Sequence, residues 1–489
     1  MTLVMRPDGD GVAGGGVGDR RADGTGNIQG DGGARDNSDT DEEEEHFDIS
    51  LAASHSYMGG SLQPVSGRSV LEAGWEGRVP VLAHHGAVFP GETVPMLLNN
   101  AHDASMLTQA INHDKLFGLL CPDESGAMVS GYGVLCEVFE AGMTGGAPGD
   151  EEPASLTFKA RANHRFRFVD MPEAGLPMHV YARVRPADVV VLPEEVSAAP
   201  LQRARLASLD PLRRARTPMD RRLRAMDAAV TAWPLFVYDI FDYARMRKII
   251  QDYFKTLAFD KLPEEPVSLS FWVARNLTLS ARDRLALFVV DNALLRLYME
   301  VRDIARVRIL RRPAALGRRS RARPSGCFQK SVLCCCACAT EIARREHVFA
   351  MSSDGLHGNY TNLRGYMHDI VTVSRATNTE LTGAPSAEYS WFPGYTWTIA
   401  VCASCMAHVG WRFDAARRSL RPQQFFGLCR NYVAPRTVVV TMGRARTTVV
   451  RRKIKHHDKN GTTNNRSFKG FRRSNDNAAA VNRYIAVTI

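Results

Sequence analysis

The sequence lacks any long apolar run. Across its 489 residues, no stretch approaches the roughly 18 apolar residues that a membrane-crossing helix needs, so no membrane partner is expected. Residues 1–48 are rich in Gly and Asp and contain no apolar core of the kind a secretory signal carries. A reducing compartment is therefore the expected setting. Also missing is a phosphate-cradling GxxxxGK[ST] loop. Apolar residues, by contrast, make up 45% of the chain, enough for buried cores. The length suits roughly three domains or fewer. The net charge of +10 is unevenly spread.

Two Cys-x-x-Cys pairs carry the strongest chemical signal. They are Cys335 with Cys338, and Cys402 with Cys405. A two-residue spacer lets both sulfurs of a pair reach one metal from a tight turn, and four thiolates suit tetrahedral zinc. Disulfides or buried free thiols are the alternatives, and a reducing setting favours zinc over the first. Four thiolates leave no open position for a substrate, so the expected cofactor is one structural zinc ion. Cys334 and Cys336 do not give the spacer with Cys338 and are treated as spares.

Aromatic residues crowd around the second pair. Glu388-Tyr389-Ser390-Trp391-Phe392-Pro393-Gly394-Tyr395-Thr396-Trp397 precedes it and Gly410-Trp411-Arg412-Phe413 follows, placing three of the chain's six tryptophans there. Large indoles often fill cores. Here a Pro-Gly interruption suits a loop better than a regular core strand. Indoles on a metal-stapled scaffold can also wall a small pocket, for a quaternary ammonium group or a flat neutral ring.

These motifs resemble the thalidomide-binding CULT domain of the cereblon family. The match adds Leu333-Cys334-Cys335, Thr340-Glu341-Ile342, Gly365-Tyr366-Met367-His368-Asp369, His408-Val409 and Pro422-Gln423-Gln424-Phe425-Phe426-Gly427-Leu428, all in the family's order. The resemblance implies a zinc-stapled all-β module over residues 330–437. It implies a ligand cage of Trp391, Trp397 and Trp411 with Phe413 beside it. Backbone groups at Tyr389 and Trp391 would hydrogen-bond the imide edge of a glutarimide or related cyclic imide, and Asn362 would lie in the covering loop. Position 389 is Tyr where vertebrate members carry His, and Leu363-Arg364 replaces a Pro-His pair.

The remaining chain reads as a multidomain α+β protein. Residues 1–74, with the run Asp39-Thr40-Asp41-Glu42-Glu43-Glu44-Glu45, are expected to form a disordered acidic arm. Residues 78–198 read as a β domain. Strands are expected at 79–82, after the 88–91 turn, and at 117–120, 133–138, 156–160 and 181–184, with a helix over 105–114. The Pro-Val-Leu opening, the Phe-Pro-Gly turn and Asn163-His164-Arg165-Phe166 resemble the Lon N-terminal domain. An ATP-dependent protease is excluded, since neither the phosphate loop nor room for a protease domain is present.

Residues 199–310 read as a basic linker followed by a helical bundle. A helix is expected over 243–257, with Met246, Ile249, Ile250, Tyr253 and Phe254 on one stripe. A second helical run follows Pro266. Ser280 is its N-cap, and Leu285, Phe288, Val289, Leu295 and Met299 mark its buried face. The resemblance implies that these helices, beginning near residues 231–234, dock onto the damaged-DNA-binding adaptor of a cullin–RING ubiquitin ligase. It also implies a location in nucleus and cytoplasm.

A basic linker (311–329) and a basic tail (438–489) fit the family poorly. They read as solvated segments, an import signal or, less readily, a nucleic-acid contact. Cys121 and Cys136 read as buried thiols. Cys429, in Gly427-Leu428-Cys429-Arg430-Asn431, raises an enzyme alternative, a methionine sulfoxide reductase of the B class.

The expected function is a non-catalytic substrate receptor for proteins with cyclic-imide ends and for glutarimide small molecules. A stand-alone aromatic-cage module for cationic ligands is the competing class. Zinc removal is expected to unfold the C-terminal module alone.

Overall fold

The computed structural model describes residues 44–66, 71–144, 155–171, 175–196, 211–212, 217–230, 235–259, 261–311 and 327–441. The expectations for the acidic run before Glu44, the helical start at 231–234, most of the basic linker and the tail beyond 441 lie outside these residues.

The β domain is a seven-stranded sheet. Its order is Gln63–Pro64, Val129–Thr144, Leu116–Pro122, Glu76–Ala83, Arg185–Val191, Ser155–Phe168, Thr93–Leu98. An additional pairing of Val129–Thr144 with Ser155–Phe168 closes the central strands into a barrel, which removes their free edges. The helix over Ala101–His113 starts earlier than expected, because the Asn100 side chain accepts from the Asp103 N–H at 3.1 Å and caps it. The strand expected at 181–184 is instead the end of a 3₁₀ turn, Met178–Tyr181, set up by Pro177; the strand is Arg185–Val191.

The helices differ from the expectation in two places. The basic linker ends early, because Pro218–Val230 is helical. Thr217 Oγ1 accepts from the Asp220 N–H at 3.0 Å and Pro218 occupies the first turn, a start signal present in the sequence. The run after Pro266 is three helices, Pro266–Asn276, Ala281–Phe288 and Ala293–Arg311. Each break shifts the helical phase, so Val289 and Leu295 are exposed while Leu287, Phe288, Leu294 and Leu297 are buried. Ser280 caps the middle helix as expected, accepting from the Asp283 N–H at 3.2 Å. Tyr243–Lys255 buries Met246, Ile250, Tyr253 and Phe254.

Helix Pro266–Asn276 is the keystone between the two β units. Leu269 and Val273 join a cluster with Val371, Val373, Phe426 and Leu428 of the C-terminal module. Phe271 and Ala274 join the barrel core with Phe89, Phe117 and Phe158. Arg165, from the Asn-His-Arg-Phe motif, is buried where barrel and helices meet. Its guanidinium donates to the Phe288 carbonyl at 2.6 Å and the Pro193 carbonyl at 2.8 Å.

The C-terminal module has two sheets. Glu341–Arg344, Cys327–Cys335 and Val433–Thr441 make the first. The second runs His357–Thr361, Met367–Val373, Gln424–Cys429, His408–Ala415, Tyr395–Cys402, Thr379–Ser386, antiparallel throughout. Strand alternation sorts its side chains. Val371, Val373, Ala400, Cys402, Val409, Phe426 and Leu428 face the helices. Ile370, Trp411, Phe413, Phe425 and Cys429 face the opposite side.

Within the arm expected over 1–74, residues 44–66 carry strands and helical turns. Glu45–His46 pairs in parallel with Leu420–Arg421. Glu45 meets Arg417 at 3.0 Å and Glu44 meets Arg421 at 2.7 Å, which offsets the like-charge repulsion of the acidic run. Phe47 and Ala52 are buried in the aromatic cluster, so the segment has apolar groups to bury after all.

Charged and polar groups fill the seam between the β domain, the helices and the C-terminal module. Asp369 pairs with Arg284 and, at 3.5 Å, with Arg430. Burial alone would raise its carboxyl pKa, but Arg430 and Arg284 more than offset this and hold it well below the usual range. Asn359 donates to Glu92 at 2.8 Å across the seam.

Four histidines are buried in or beside this seam, His55, His84, His357 and His368. Desolvation lowers the pKa of His55 and of His368 to about 3 and that of His84 to about 4. A histidine with a depressed folded pKa binds fewer protons folded than unfolded, so stability falls as pH drops from about 6.5 toward those values. Urea unfolding at pH 7 and pH 5 is expected to show a loss of roughly 1–2 kcal/mol per buried histidine. An unchanged midpoint at pH 5 would contradict their neutral burial.

Candidate functional site

Both Cys-x-x-Cys pairs adopt the same turn. Ala339 N–H returns to the Cys335 carbonyl and Met406 N–H to the Cys402 carbonyl, each at 2.8 Å. The residue after each second cysteine, Ala339 or Met406, takes a positive φ of 65° or 59°. This left-handed step turns both sulfurs of a pair inward. One turn ends the strand Cys327–Cys335 and the other ends Tyr395–Cys402, so the cluster joins the two sheets.

The four sulfurs of Cys335, Cys338, Cys402 and Cys405 all lie within 4.8 Å of one another. Cys335 to Cys405 is 3.7 Å and Cys338 to Cys402 is 3.5 Å. A tetrahedron of Zn–S bonds near 2.3 Å has sulfur–sulfur edges of about 3.8 Å. The donor set and spacing fit one structural zinc ion, with Cys334 and Cys336 outside the cluster.

The aromatic residues converge on a single cavity of about 400 Å³. Every expected ligand-contacting residue lines it: Asn362, Tyr389, Trp391, Trp397, Trp411 and Phe413. Trp391 and Trp411 meet edge to face at 4.7 Å, an angle of 75°. Trp391 is locked from behind by stacking on Tyr360 at 5.3 Å and by donating its indole N–H to the Thr361 carbonyl at 3.0 Å. Trp397 donates to the Glu388 carbonyl at 2.8 Å. Strand pairing sets Trp397 opposite Phe413 and Ile399 opposite Trp411. Gly410 permits this packing, since a Cβ there would sit 2.1 Å from the Gly427 carbonyl oxygen.

The covering loop is built by Asn362. Its side-chain oxygen accepts from Arg364 N–H at 3.1 Å and Tyr366 N–H at 2.9 Å. That oxygen therefore shapes the loop. The loop rests on the β domain: Asn99 donates to the Leu363 carbonyl at 3.3 Å, and Gly365 lies so close that a Cβ would sit 2.2 Å from the Leu97 oxygen. Tyr57, from the folded N-terminal segment, accepts from Thr361 N–H at 3.0 Å and meets the Tyr389 ring at 5.1 Å. Tyr389 has φ of 53°. Its main-chain groups and those of Trp391 make no hydrogen bond among the described residues.

Sequence reasoning missed several lining residues. Ile399 and Val401 line the cavity with Trp397 and were legible from strand period two. Thr382, Met406, His408 and Tyr432 also line it, brought in by other strands and the second metal turn. The remaining expected residue, Cys429, lies outside the cavity lining. It is buried, and burial and the Asp369 charge push its thiol well above the usual range. His368 lies 4.0 Å away but is held neutral, so no imidazolium stabilises a thiolate. A nucleophilic cysteine needs the opposite, a lowered pKa and access to solvent, so this environment does not favour the sulfoxide reductase alternative.

Cys335 and Cys402 belong to the same core as helical Met246, Ile250, Phe254 and Val273. Zinc loss should therefore loosen those helices as well as the sheets, which revises the expectation that the module unfolds alone. For Cys405→Ser, near-ultraviolet circular dichroism should lose its tryptophan signal, and helical protection from hydrogen exchange should fall with it. Full helical protection in that variant would contradict the shared core.

A family model described as Yippee zinc-binding/DNA-binding/Mis18, centromere assembly, matches residues 331–448, the segment that holds the four cysteines and the cage. Protein cereblon of Danio rerio is 30% identical over 415 residues, covering 80% of this chain and 88% of that protein. Protein cereblon of Xenopus tropicalis is 31% identical over 415 residues, covering 80% and 85%. A solved Lon N-terminal domain protein from Xanthomonas campestris aligns over 45% of this chain and 95% of its own, at 14% identity and a TM-score of 0.27, too low to show a shared fold. Identity sustained across four fifths of the sequence, together with a four-cysteine zinc site beneath a tryptophan cage, means that this chain belongs to the cereblon family.

Proposed function

We propose that this chain is the substrate receptor of a cullin–RING ubiquitin ligase and that its cage holds a cyclic imide. The observation that carries the reading is the cavity itself. Trp391, Trp397 and Trp411 wall it, Phe413 lines it, and unpartnered main-chain groups at Tyr389 and Trp391 lie at its edge. An imide edge presents acceptor, donor, acceptor in one plane. Backbone N–H and C=O groups complement that pattern, while the flat ring buries its faces against indoles.

Ligands of this kind are glutarimide small molecules and protein ends that carry a cyclic imide. The helical region would hold the damaged-DNA-binding adaptor. In support, exposed Met219, Met226, Val289 and Leu295 give it apolar surface. The receptor itself performs no covalent step. It raises the effective concentration of a bound protein near the ubiquitin-carrying end of the ligase. Work in nucleus and cytoplasm suits that role.

Calorimetric titration of the zinc-loaded chain with a glutarimide tests the cage. Saturable binding is expected, and Trp397→Ala should weaken it roughly 30-fold or more, the scale of losing a hot-spot aromatic, while adaptor binding persists. Unchanged imide affinity in that variant would overturn the pocket assignment. Preference for tetramethylammonium over the imide would favour the cationic-ligand module instead.

A further inference from the structure

The cavity is longer than the ring it is proposed to hold. Trp397, Ile399 and Val401 line it from one face of a single strand. At roughly 3.3 Å per residue that floor runs about 13 Å. A six-membered imide ring, from bond lengths of about 1.2–1.5 Å, spans only about 5 Å between its two oxygens. The three tryptophans fill out one end, and the other has its own wall.

That second wall is aromatic, rigid and uncharged. His408 meets Trp411 edge to face at 4.6 Å and Tyr432 at 5.5 Å, so a continuous row of rings leads out of the cage. The metal turns hold this row in place. Met406 directly follows Cys405 at its left-handed φ, and the Tyr432 carbonyl accepts from Cys336 N–H at 2.9 Å. Tyr432 N–H donates to the Cys429 carbonyl at 2.9 Å. The lining residues with formal charge, Arg364 and Glu388, belong to the covering loop and to the loop before Trp391. Beyond Ile399, Val401 pairs with His408, and Met406 and Tyr432 also line the cavity. Burial lowers His408 to a pKa of about 4, so it is neutral at neutral pH. Tyr432 and Met406 remain 37% and 57% exposed, leaving apolar area to be covered by a ligand.

We propose that Tyr432, Met406 and His408 form a second subsite continuous with the cage, which takes an aromatic or bulky aliphatic group attached to the imide. The inference rests on the cyclic-imide reading and adds a selection rule to it. Among protein ends, the favoured ones carry an apolar side chain next to the cyclised residue. A charged neighbour finds no charge partner in Tyr432, Met406 or His408 and has less apolar area to bury against them.

The test is calorimetry on the full zinc-loaded chain with three probes: 3-acetamidoglutarimide, N-acetylphenylalanyl-3-aminoglutarimide and N-acetylglutamyl-3-aminoglutarimide. The phenylalanyl probe is expected to bind roughly tenfold tighter than the acetamido probe, the scale of burying one large apolar side chain. The glutamyl probe should bind no tighter than the acetamido probe. Tyr432→Ala should erase the phenylalanyl gain and leave acetamido affinity unchanged, and Tyr432→Phe should keep the gain. Equal binding of the phenylalanyl and acetamido probes by the unsubstituted chain would overturn the subsite while leaving the imide reading intact. So would a uniform loss for all probes in Tyr432→Ala. Failure of every probe to bind would remove the imide reading and the subsite with it.

Discussion

The geometry of the C-terminal module depends on four thiolates facing one point. Cys335 and Cys338 from the first sheet face Cys402 and Cys405 from the second, beside the apolar contact of Leu333 and Ile342 with Val371, Ala400 and Leu428. Structural zinc in small modules contributes roughly 10–16 kcal/mol of apparent binding energy. A whole domain retains only about 5–15 kcal/mol of net stability. The metal is thus comparable to everything else holding the module together. Its influence reaches the cage through short covalent paths: Cys402 ends the strand that carries Trp397, and His408 and Trp411 follow within a few residues of Cys405.

A second constraint sets what surrounds the cage. The covering loop is held by contacts from outside the zinc module, through Leu97 and Asn99, and Tyr57 of the N-terminal segment braces its start at Thr361. The buried Asp369–Arg284–Arg430 cluster ties the same module to the helices. Removing one partner of such a cluster strands a charge, which costs far more than the pair contributes. The cage is accordingly a property of the whole chain rather than of one domain.

Much of this was legible in the sequence because its signals are local. The Cys-x-x-Cys spacing names the metal site without any knowledge of the fold. Strand alternation puts Trp397, Ile399 and Val401 on one face, and Trp411 and Phe413 on another strand of the same sheet. The Thr217-Pro218 helix start is equally local, but the basic composition around it reads as a linker. The remainder was hidden because it depends on distant pairing. Nothing near Arg284 signals Asp369, 85 positions away. Glu45 finds a strand partner only in Leu420, and Tyr432 is placed at the cavity because Val433, the residue after it, pairs with Cys335.

In the proposed role, an imide held in the cage brings a protein to the ubiquitin-transfer machinery. The most direct measurement is reconstituted ubiquitin transfer to a reporter protein ending in a cyclic imide, compared with the same reporter ending in the open amide. The account predicts modification of the cyclised reporter alone, suppressed by excess free glutarimide. Equal modification of both reporters, or modification that free glutarimide leaves unchanged, would contradict it.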